Sequence, residues 1–493
     1  MLVDAQASPL DGHQDVVEPQ EDAASEQEME DSRGEPEAGE GKQGAQQLKL
    51  ARLLVALVGK DNLIFNGGAF WMWKGNVWAT VDDREMKQLL HKMLAGKQKV
   101  SKGLVDAVLD LARTEAFRPG HQFDQDKSGI NVQNGTLHWT GQCWELRPHC
   151  REDFRTAILP VVYDPVAQAV RFKLFLAEIF EPDSDSADKA RLIMEAIGYT
   201  LTTSTEYERF FVLTGDGANG KSVLLYVLRE LVGKEACSSV APSQFERLFQ
   251  RASLRSKLAN IVTELSVGEN LPDAATKAIV TGERMSAEVK FRDPFDFEPF
   301  CTIWLATNHI PGTKDFSEAL FRRAVIVPFG RIFDPSEQDR KLKYTLVAEL
   351  PGILNMALDA YAGVLLRGGF TEPASVLEAL KAWKADTDPV RGFVAEEVLT
   401  CEECKREKLN RYEVVKEAVS GGPDSNSRCN DCFEEGHILY KAFETYCANT
   451  GVRFPPKRKE FTQRLVKLTG GKLDRDNTRR MVRGVQLRNP FAG

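Results

Sequence analysis

The sequence predicts an α/β fold organised around a phosphate-binding loop, and three observations carry that prediction. First, the apolar run Phe210–Thr214 reads as a buried strand. It leads into Gly215-Asp216-Gly217-Ala218-Asn219-Gly220-Lys221-Ser222, and then into the helical stretch Ser222–Leu231 closed by Gly233. Second, two more apolar runs, Lys257–Leu265 and Cys301–Thr307, follow with a helical pattern (DAATKAIVTG) between them, the alternation of strand and helix expected of an α/β fold. Third, a hydrophobic content of 42% over 493 residues supports full-sized cores, enough for about three domains of about 100–200 residues each.

Residues 1–48 stand apart. They carry thirteen acidic residues against Arg33 and Lys42 alone, a composition expected to leave the segment disordered. Its net charge of −11 leaves +3 for the rest of a chain whose total is −8, so overall acidity says little about partners. There is no run of eighteen apolar residues and no basic start followed by an apolar core. The expectation is therefore no membrane partner, no signal peptide and a cytoplasmic protein.

Residues 49–185 are expected to form an α+β domain. A helical pattern runs from Leu48 to Gly59, and then NLIFNGGAFWMWKGNVWATVDD alternates apolar and polar residues around turn glycines, the signature of a short meander. Trp71, Trp73 and Trp78 have the chemistry to stack on bases, but tryptophans at period two beside turn glycines read as the core of a small sheet. Helices follow near Asp83–Leu94 and Ser101–Thr114. Asn134-Gly135 marks a hairpin, and Asp164–Ile197 reads as mostly helical.

The octapeptide Gly215–Ser222 matches G-x-x-x-x-G-K-[ST] between a strand and a helix, which is the context its mechanism requires. The glycines let backbone N–H groups curl around phosphates, with the positive end of the helix behind them. Lys221 then reaches the β- and γ-phosphates of ATP, and Ser222 holds Mg²⁺. A chance match in a glycine-rich loop is the bland alternative, and the flanking strand and helix argue against it.

Downstream residues narrow the chemistry. The strand Lys257–Leu265 ends at Glu264, where a carboxylate orients the attacking water, although an acid at a strand end can be merely structural. In MSAEVKFRDPFDFEP two alternating segments flank Asp293-Pro294, a β-hairpin with Lys290, Phe291 and Arg292 toward its tip. Such a tip suits one strand of nucleic acid, with cations on phosphates and the ring against a base; a solvated hairpin is the alternative. The run Cys301–Thr307 ends in Asn308, a polar group suited to the attacking water or the γ-phosphate. Arg322 and Arg323 sit between a helix end and a buried strand. One of the pair is expected to act on a neighbouring subunit's ATP, while dipole compensation is the competing reading.

This order of motifs resembles the superfamily 3 helicases, and within them the phage and plasmid primase-helicase group related to the poxvirus-type nucleoside triphosphatase. The phrases GDGANGKSVLL, ANIVTEL, TGERMSAEVKFRDPFDFEP and LATNHIPGTKDFSEALFRRAVIVPF carry the likeness. VQNGTLHWTG, YDPVAQAVRFKLFLAEIF and EAIGYTLTT extend it upstream, so that it covers roughly residues 50–370. The resemblance implies an AAA+ core over 186–370 that assembles as a ring, commonly a hexamer, with ATP between subunits and hairpins lining a pore that takes single-stranded DNA. It further implies that Lys277, Gly282, Glu283 and Lys290 link the ATP site to the pore. Two departures stand out. Thr263 occupies the position where many relatives carry a first acid, and no catalytic primase domain precedes the ATPase, so priming would come from a separate protein.

Residues 371–493 are expected to form a winged-helix-like domain with an insertion over 401–432. Cys401, Cys404, Cys429 and Cys432 form two CxxC pairs that fit a tetrahedral zinc site. Glu434–Thr450 and Lys457–Leu468 read as helices, and KLDRDNTRRMVRGVQLR reads as two strands of a wing. From Val452 onward twelve Lys and Arg face three acids, which favours duplex DNA over a merely solvated surface.

The leading expectation is an ATP-dependent DNA helicase of phage, plasmid or prophage replication. The alternatives are an ATP-controlled origin-binding initiator without processive unwinding, and a ring ATPase of a defence or packaging system.

Overall fold

The computed structural model describes residues 38–96, 100–265, 269–290, 293–313, 318–400, 433–450, 452, 455–475 and 479–488. The chain divides into two compact units, Met1–Leu57 with Met86–Glu115, and Val58–Glu85 with Ala116–Gly493.

The first unit holds α1 (Ala38–Val58), α2 (Asp83–Leu94) from Met86 onward, and α3 (Lys102–Ala116) up to Glu115. Met86, Leu90 and Leu94 bury one stripe of α2, and Val105, Val108, Leu109 and Ala112 bury one stripe of α3, the spacing of an amphipathic helix. Arg52 meets Glu115 at 3.1 Å and Lys87 meets Asp106 at 2.7 Å. Helix α1 corrects the expected tail boundary at residue 48, because it already begins at Ala38. The Gln, Ala, Lys and Leu of GAQQLKL are good helix formers and extend the helix N-terminally. Most of the acidic segment lies outside the described residues.

The second unit opens with an antiparallel meander, β1 (Leu63–Asn66), β2 (Ala69–Trp73) and β3 (Trp78–Val81). Trp71 and Trp78 are buried with Ile64, against Trp73, Phe123 and Phe154. The Trp78 indole N–H donates to the Arg151 carbonyl at 2.8 Å. A second meander follows, β4 (Gly129–Val132), β5 (Gly135–Trp139) and β6 (Trp144–Arg147), turning at Asn134. Two helices come next, α4 (Val170–Phe180) and α5 (Ser186–Thr200).

The central part contains, in order, β7 (Phe210–Thr214), α6 (Lys221–Val232), β8 (Cys237–Ser238), α7 (Leu248–Arg251) and β9 (Ala259–Val262). Then come β10 (Asn270–Leu271), α8 (Asp273–Thr281), β11 (Met285–Ala287), β12 (Phe295–Phe297), β13 (Thr302–Thr307) and β14 (Gly312–Thr313). The part closes with α9 (Glu318–Phe321), β15 (Ala324–Pro328), α10 (Leu342–Val347), α11 (Leu350–Arg367) and α12 (Ala374–Thr387).

Five of these strands form a parallel sheet in the order β15-β7-β13-β9-β8. Both faces are covered, which explains why the strands are apolar at every position. Phe211 and Leu213 of β7, with Trp304 and Ala306 of β13, point into the core shared with α4, α5, α6 and α11. Phe210, Val212, Ile303 and Leu305 point into the opposite core with α8, the β11–β12 hairpin and Trp383 of α12. Helices α5 and α11 approach closely at Gly198, where an added Cβ would lie 2.4 Å from the Ala357 carbonyl oxygen.

Two expected domain boundaries move. The division at 185/186 does not separate cores, because Ile130, Val132 and Leu137 of the second meander share one hydrophobic core with Leu213 and Leu224. The division at 370/371 shifts to about residue 388, because α12 packs on β15 and contributes Trp383 to the core on that face of the sheet.

The C-terminal module comprises α13 (Pro389–Glu397), β16 (Val398–Thr400), β17 (Phe433–Glu435), α14 (Gly436–Thr450), α15 (Arg458–Thr469), β18 (Lys472–Arg475), β19 (Arg480–Arg483) and β20 (Val485–Leu487). It has its own core of Phe393, Leu439, Phe443, Phe461, Leu465 and Val482 with neighbouring residues. Asp388 caps α13 by accepting from the Arg391 amide at 3.3 Å, and it accepts from Arg464 Nε of α15 at 2.9 Å. Three strands follow α15 where two were expected, since Gly484 breaks the last run at a left-handed φ of 88°. Cys401, Cys404, Cys429 and Cys432 lie outside the described residues. Among the described residues no helix is long and apolar enough to cross a membrane.

Candidate functional site

The loop Gly215–Gly220 joins β7 to α6, and its backbone explains its composition. Gly217, Ala218 and Gly220 adopt φ of 93°, 46° and 87°, and Gly215 has φ 145°. A Cβ on Gly215 would lie 2.5 Å from the Phe329 carbonyl oxygen, so only glycine fits there. Helix α6 starts at Lys221 and turns its first amides toward the loop. The Lys221 side chain is buried and donates to the Gly215 carbonyl. Burial pushes its ammonium below the usual lysine range, with the nearby Asp216 opposing. The Asn219 amide nitrogen is buried with no hydrogen-bond partner among the described residues.

These features border a cavity of about 680 Å³. A buried donor without an acceptor among the described residues, a lysine folded onto a carbonyl and the start of a helix fit an anionic ligand such as a nucleotide triphosphate. The opening lies beyond the carboxyl ends of the strands, where ligands of open parallel sheets bind.

Strand order brings the other expected residues to the same cavity. β13 lies between β7 and β9, with Trp304 level with both Phe211 and Ile261. Asn308, just past β13, is therefore held between the loop and Glu264. Lys221, Ser222, Thr263, Glu264 and Asn308 all line the cavity. Glu264 lies two residues beyond the last residue of β9, and both it and Thr263 are exposed. The Thr307 hydroxyl donates to the His309 carbonyl at 2.6 Å and accepts from the His309 amide at 3.0 Å, which shapes the turn that carries Asn308.

Sequence reasoning missed the opposite wall. Arg171, Phe175 and Glu178 of α4 and Phe333 line it. The Phe333 amide donates to the Ala218 carbonyl at 2.8 Å, and Arg171 meets Glu178 at 3.1 Å. No spacing rule connects these residues to the loop; only folding does.

The two arginines separate. Arg323 is 7% exposed and meets Glu208 at 2.6 Å; it also donates to the Ala319 carbonyl. Arg322 is exposed, with its guanidinium 3.8 Å from Glu208. Neither lines the cavity of its own chain.

Strands β11 and β12 pair antiparallel and carry the exposed Lys290 beyond β11; Phe291 and Arg292 lie outside the described residues. Gly282 ends α8 at φ 73°, and its Cβ would lie 2.9 Å from the Thr205 hydroxyl. Lys277 is half-buried on α8 and Glu283 is exposed after it. The Glu288 amide donates to the Leu248 carbonyl at 3.3 Å, so α7 sits against the hairpin. α7 presents Phe249, 57% exposed, beside the exposed Arg247. This aromatic-basic pair was also missed, because the polar and apolar mixture of SQFERLFQ reads as an ordinary amphipathic turn.

Residues 51–181 match the family model described as D5 N terminal like. Residues 213–323 match a family of unknown function, DUF5906. The "Putative helicase L207/L206" of Acanthamoeba polyphaga mimivirus is 25% identical over 184 residues, covering 34% of this chain. The chain spans only 18% of that relative's length. Among solved structures, the apo C-terminal region of NrS-1 aligns over 89% of this chain and 99% of that one, at 12% identity and a TM-score of 0.46. A second apo structure of that region, the A form, aligns at 13% identity with the same TM-score.

Proposed function

We propose that this chain is an ATP-hydrolysing DNA helicase of phage, plasmid or prophage replication, built on a superfamily 3 AAA+ core. The observation that carries the reading is the convergence of Lys221, Ser222, Glu264 and Asn308 on one cavity of about 680 Å³. In this reading the loop amides and Lys221 bind the β- and γ-phosphates. Ser222 and Glu264 hold Mg²⁺, which neutralises charge developing on the phosphates. Glu264 orients the attacking water and Asn308 hydrogen-bonds it or the γ-phosphate. The absence of an acid at Thr263 leaves Glu264 to serve both ends of this chemistry.

The exposed Arg322, remote from its own chain's cavity, supports a finger acting on a neighbouring copy, and hence a ring, for which a hexamer is the family expectation. The Lys290 hairpin, with Phe249 and Arg247 beside it, offers cations and a ring face to a single strand in the pore. The C-terminal module exposes Lys459, Lys467, Lys472, Arg475 and Arg480, a charge pattern suited to duplex phosphates.

Strand separation on a forked duplex tests the reading, with particle size measured with and without ATP. The expected result is ATP-dependent separation by a multi-subunit species. Sequence-selective duplex binding with no separation at any ATP concentration would replace the helicase with an initiator module.

The spacing of Cys401, Cys404, Cys429 and Cys432 supports a structural zinc site. Metal analysis of purified protein is expected to find about one zinc per chain, lost when all four are changed to serine. Protein that is fully active and zinc-free would remove zinc from the proposal.

A further inference from the structure

Arg255 lies between α7 and β9, outside every motif of the sequence, yet it joins three separate parts of the second unit. Its guanidinium donates to the Gly67 carbonyl at 3.0 Å, in the turn between β1 and β2. Its guanidinium carbon lies 4.8 Å from the centroid of the Trp71 ring on β2 and 4.5 Å from that of Phe295 on β12. All three partners border a cleft of about 860 Å³, together with Val289 and Asp293 from the hairpin connection.

Both ends of this link are themselves held. Trp71 packs on Phe123 with centroids 4.4 Å apart, and its indole donates to the Asn66 carbonyl at 3.3 Å. Phe295 pairs with Ala287 across the β11–β12 hairpin, at the root of the connection that carries Lys290. Gly67 is shaped for the contact: its φ is 54°, and a Cβ there would lie 2.7 Å from an Arg255 guanidinium nitrogen. A planar guanidinium can present faces to rings while its edge donates to a carbonyl, which an ammonium cannot do.

We propose that Arg255 is a positioning residue that sets the hairpin's attitude from the first meander, so that the grip of the hairpin on nucleic acid during ATP turnover depends on a contact outside the ATP site. This rests on the reading of the hairpin as a nucleic-acid element. Arg255 does not line the 680 Å³ cavity, and neither do Gly67, Trp71 and Phe295, so its loss is expected to act on coupling more than on hydrolysis.

The test compares strands separated per ATP hydrolysed for the full chain and for Arg255→Ala, Arg255→Lys and Phe295→Leu, with melting temperature measured alongside. Basal ATP turnover is expected to stay within about twofold, and separation per ATP to fall about tenfold in all three variants. Phe295→Leu keeps an apolar side chain and removes the ring face, so it reaches the same contact from the other partner if an Arg255 variant fails to fold. Failure of lysine to rescue marks the planar contact, as opposed to simple charge. A joint Lys290→Ala, Phe291→Ala, Arg292→Ala variant tests the hairpin itself. If that variant loses separation while the Arg255 and Phe295 variants keep it, the positioning role is overturned and the hairpin reading stands. If none of them changes separation, the hairpin reading falls and the positioning role falls with it.

Discussion

Lys221→Ala is expected to lower ATP turnover by at least about a hundredfold, the cost of removing a preorganised charge from a site where negative charge develops. Lys221 sits at the first turn of α6 with its ammonium turned onto the Gly215 carbonyl, in the same cavity lining as the Asn219 amide, which has no partner among the described residues. Burial disfavours the charged form of the lysine, and a triphosphate in the cavity would supply a compensating counter-charge. The substitution should therefore weaken nucleotide binding as well as turnover, and strand separation should disappear with it. Phosphate release and fluorescent-nucleotide binding measure the two effects separately. Turnover within a few-fold of the unaltered chain would show that the loop is not the hydrolytic site.

The two adjacent arginines are expected to respond in opposite ways. Arg322→Ala should reduce turnover by about a thousandfold if it acts as a finger on a neighbour's ATP, with no change in stability, because its guanidinium is exposed and only 3.8 Å from Glu208 at its nearest. Arg323→Ala should lower stability by about 1 kcal/mol, since it removes a buried guanidinium that bonds the Ala319 carbonyl and a half-exposed carboxylate, Glu208. The structural anchors are the 2.6 Å contact with Glu208 and the bond to the Ala319 carbonyl. Urea unfolding and steady-state turnover on both variants separate these effects. Mixing Arg322→Ala chains with Lys221→Ala chains should restore part of the activity, because one kind of interface then combines an intact loop with an intact finger. Full turnover by Arg322→Ala alone would end its assignment as a finger.

The sequence by itself determined the strand-loop-helix around Gly215–Gly220, with β7 at its expected bounds, and the polar residues that end the neighbouring strands. It did so because local physics governs these features: glycine where φ is positive, apolar runs where strands are covered on both faces, and a helix start behind the loop. The first meander and the hairpin turn at Asn134-Gly135 were legible from their alternation and turn residues. The difference between Arg322 and Arg323 was not legible, since identical neighbours at a strand entrance differ only in which one the sheet edge turns inward toward Glu208.

Tertiary structure alone decided that β13 lies between β7 and β9, which carries Asn308 to the middle of the cavity. It alone brought Arg171, Phe175, Glu178 and Phe333 to the opposite wall, and Arg255 to Gly67, Trp71 and Phe295. It also merged the second meander with the core of the large sheet, erasing a boundary that the helical stretch after Asp164 had suggested. Periodicity and spacing report which face of an element is buried. They carry no information on which distant element buries it, and that pairing is what builds both walls of the cavity.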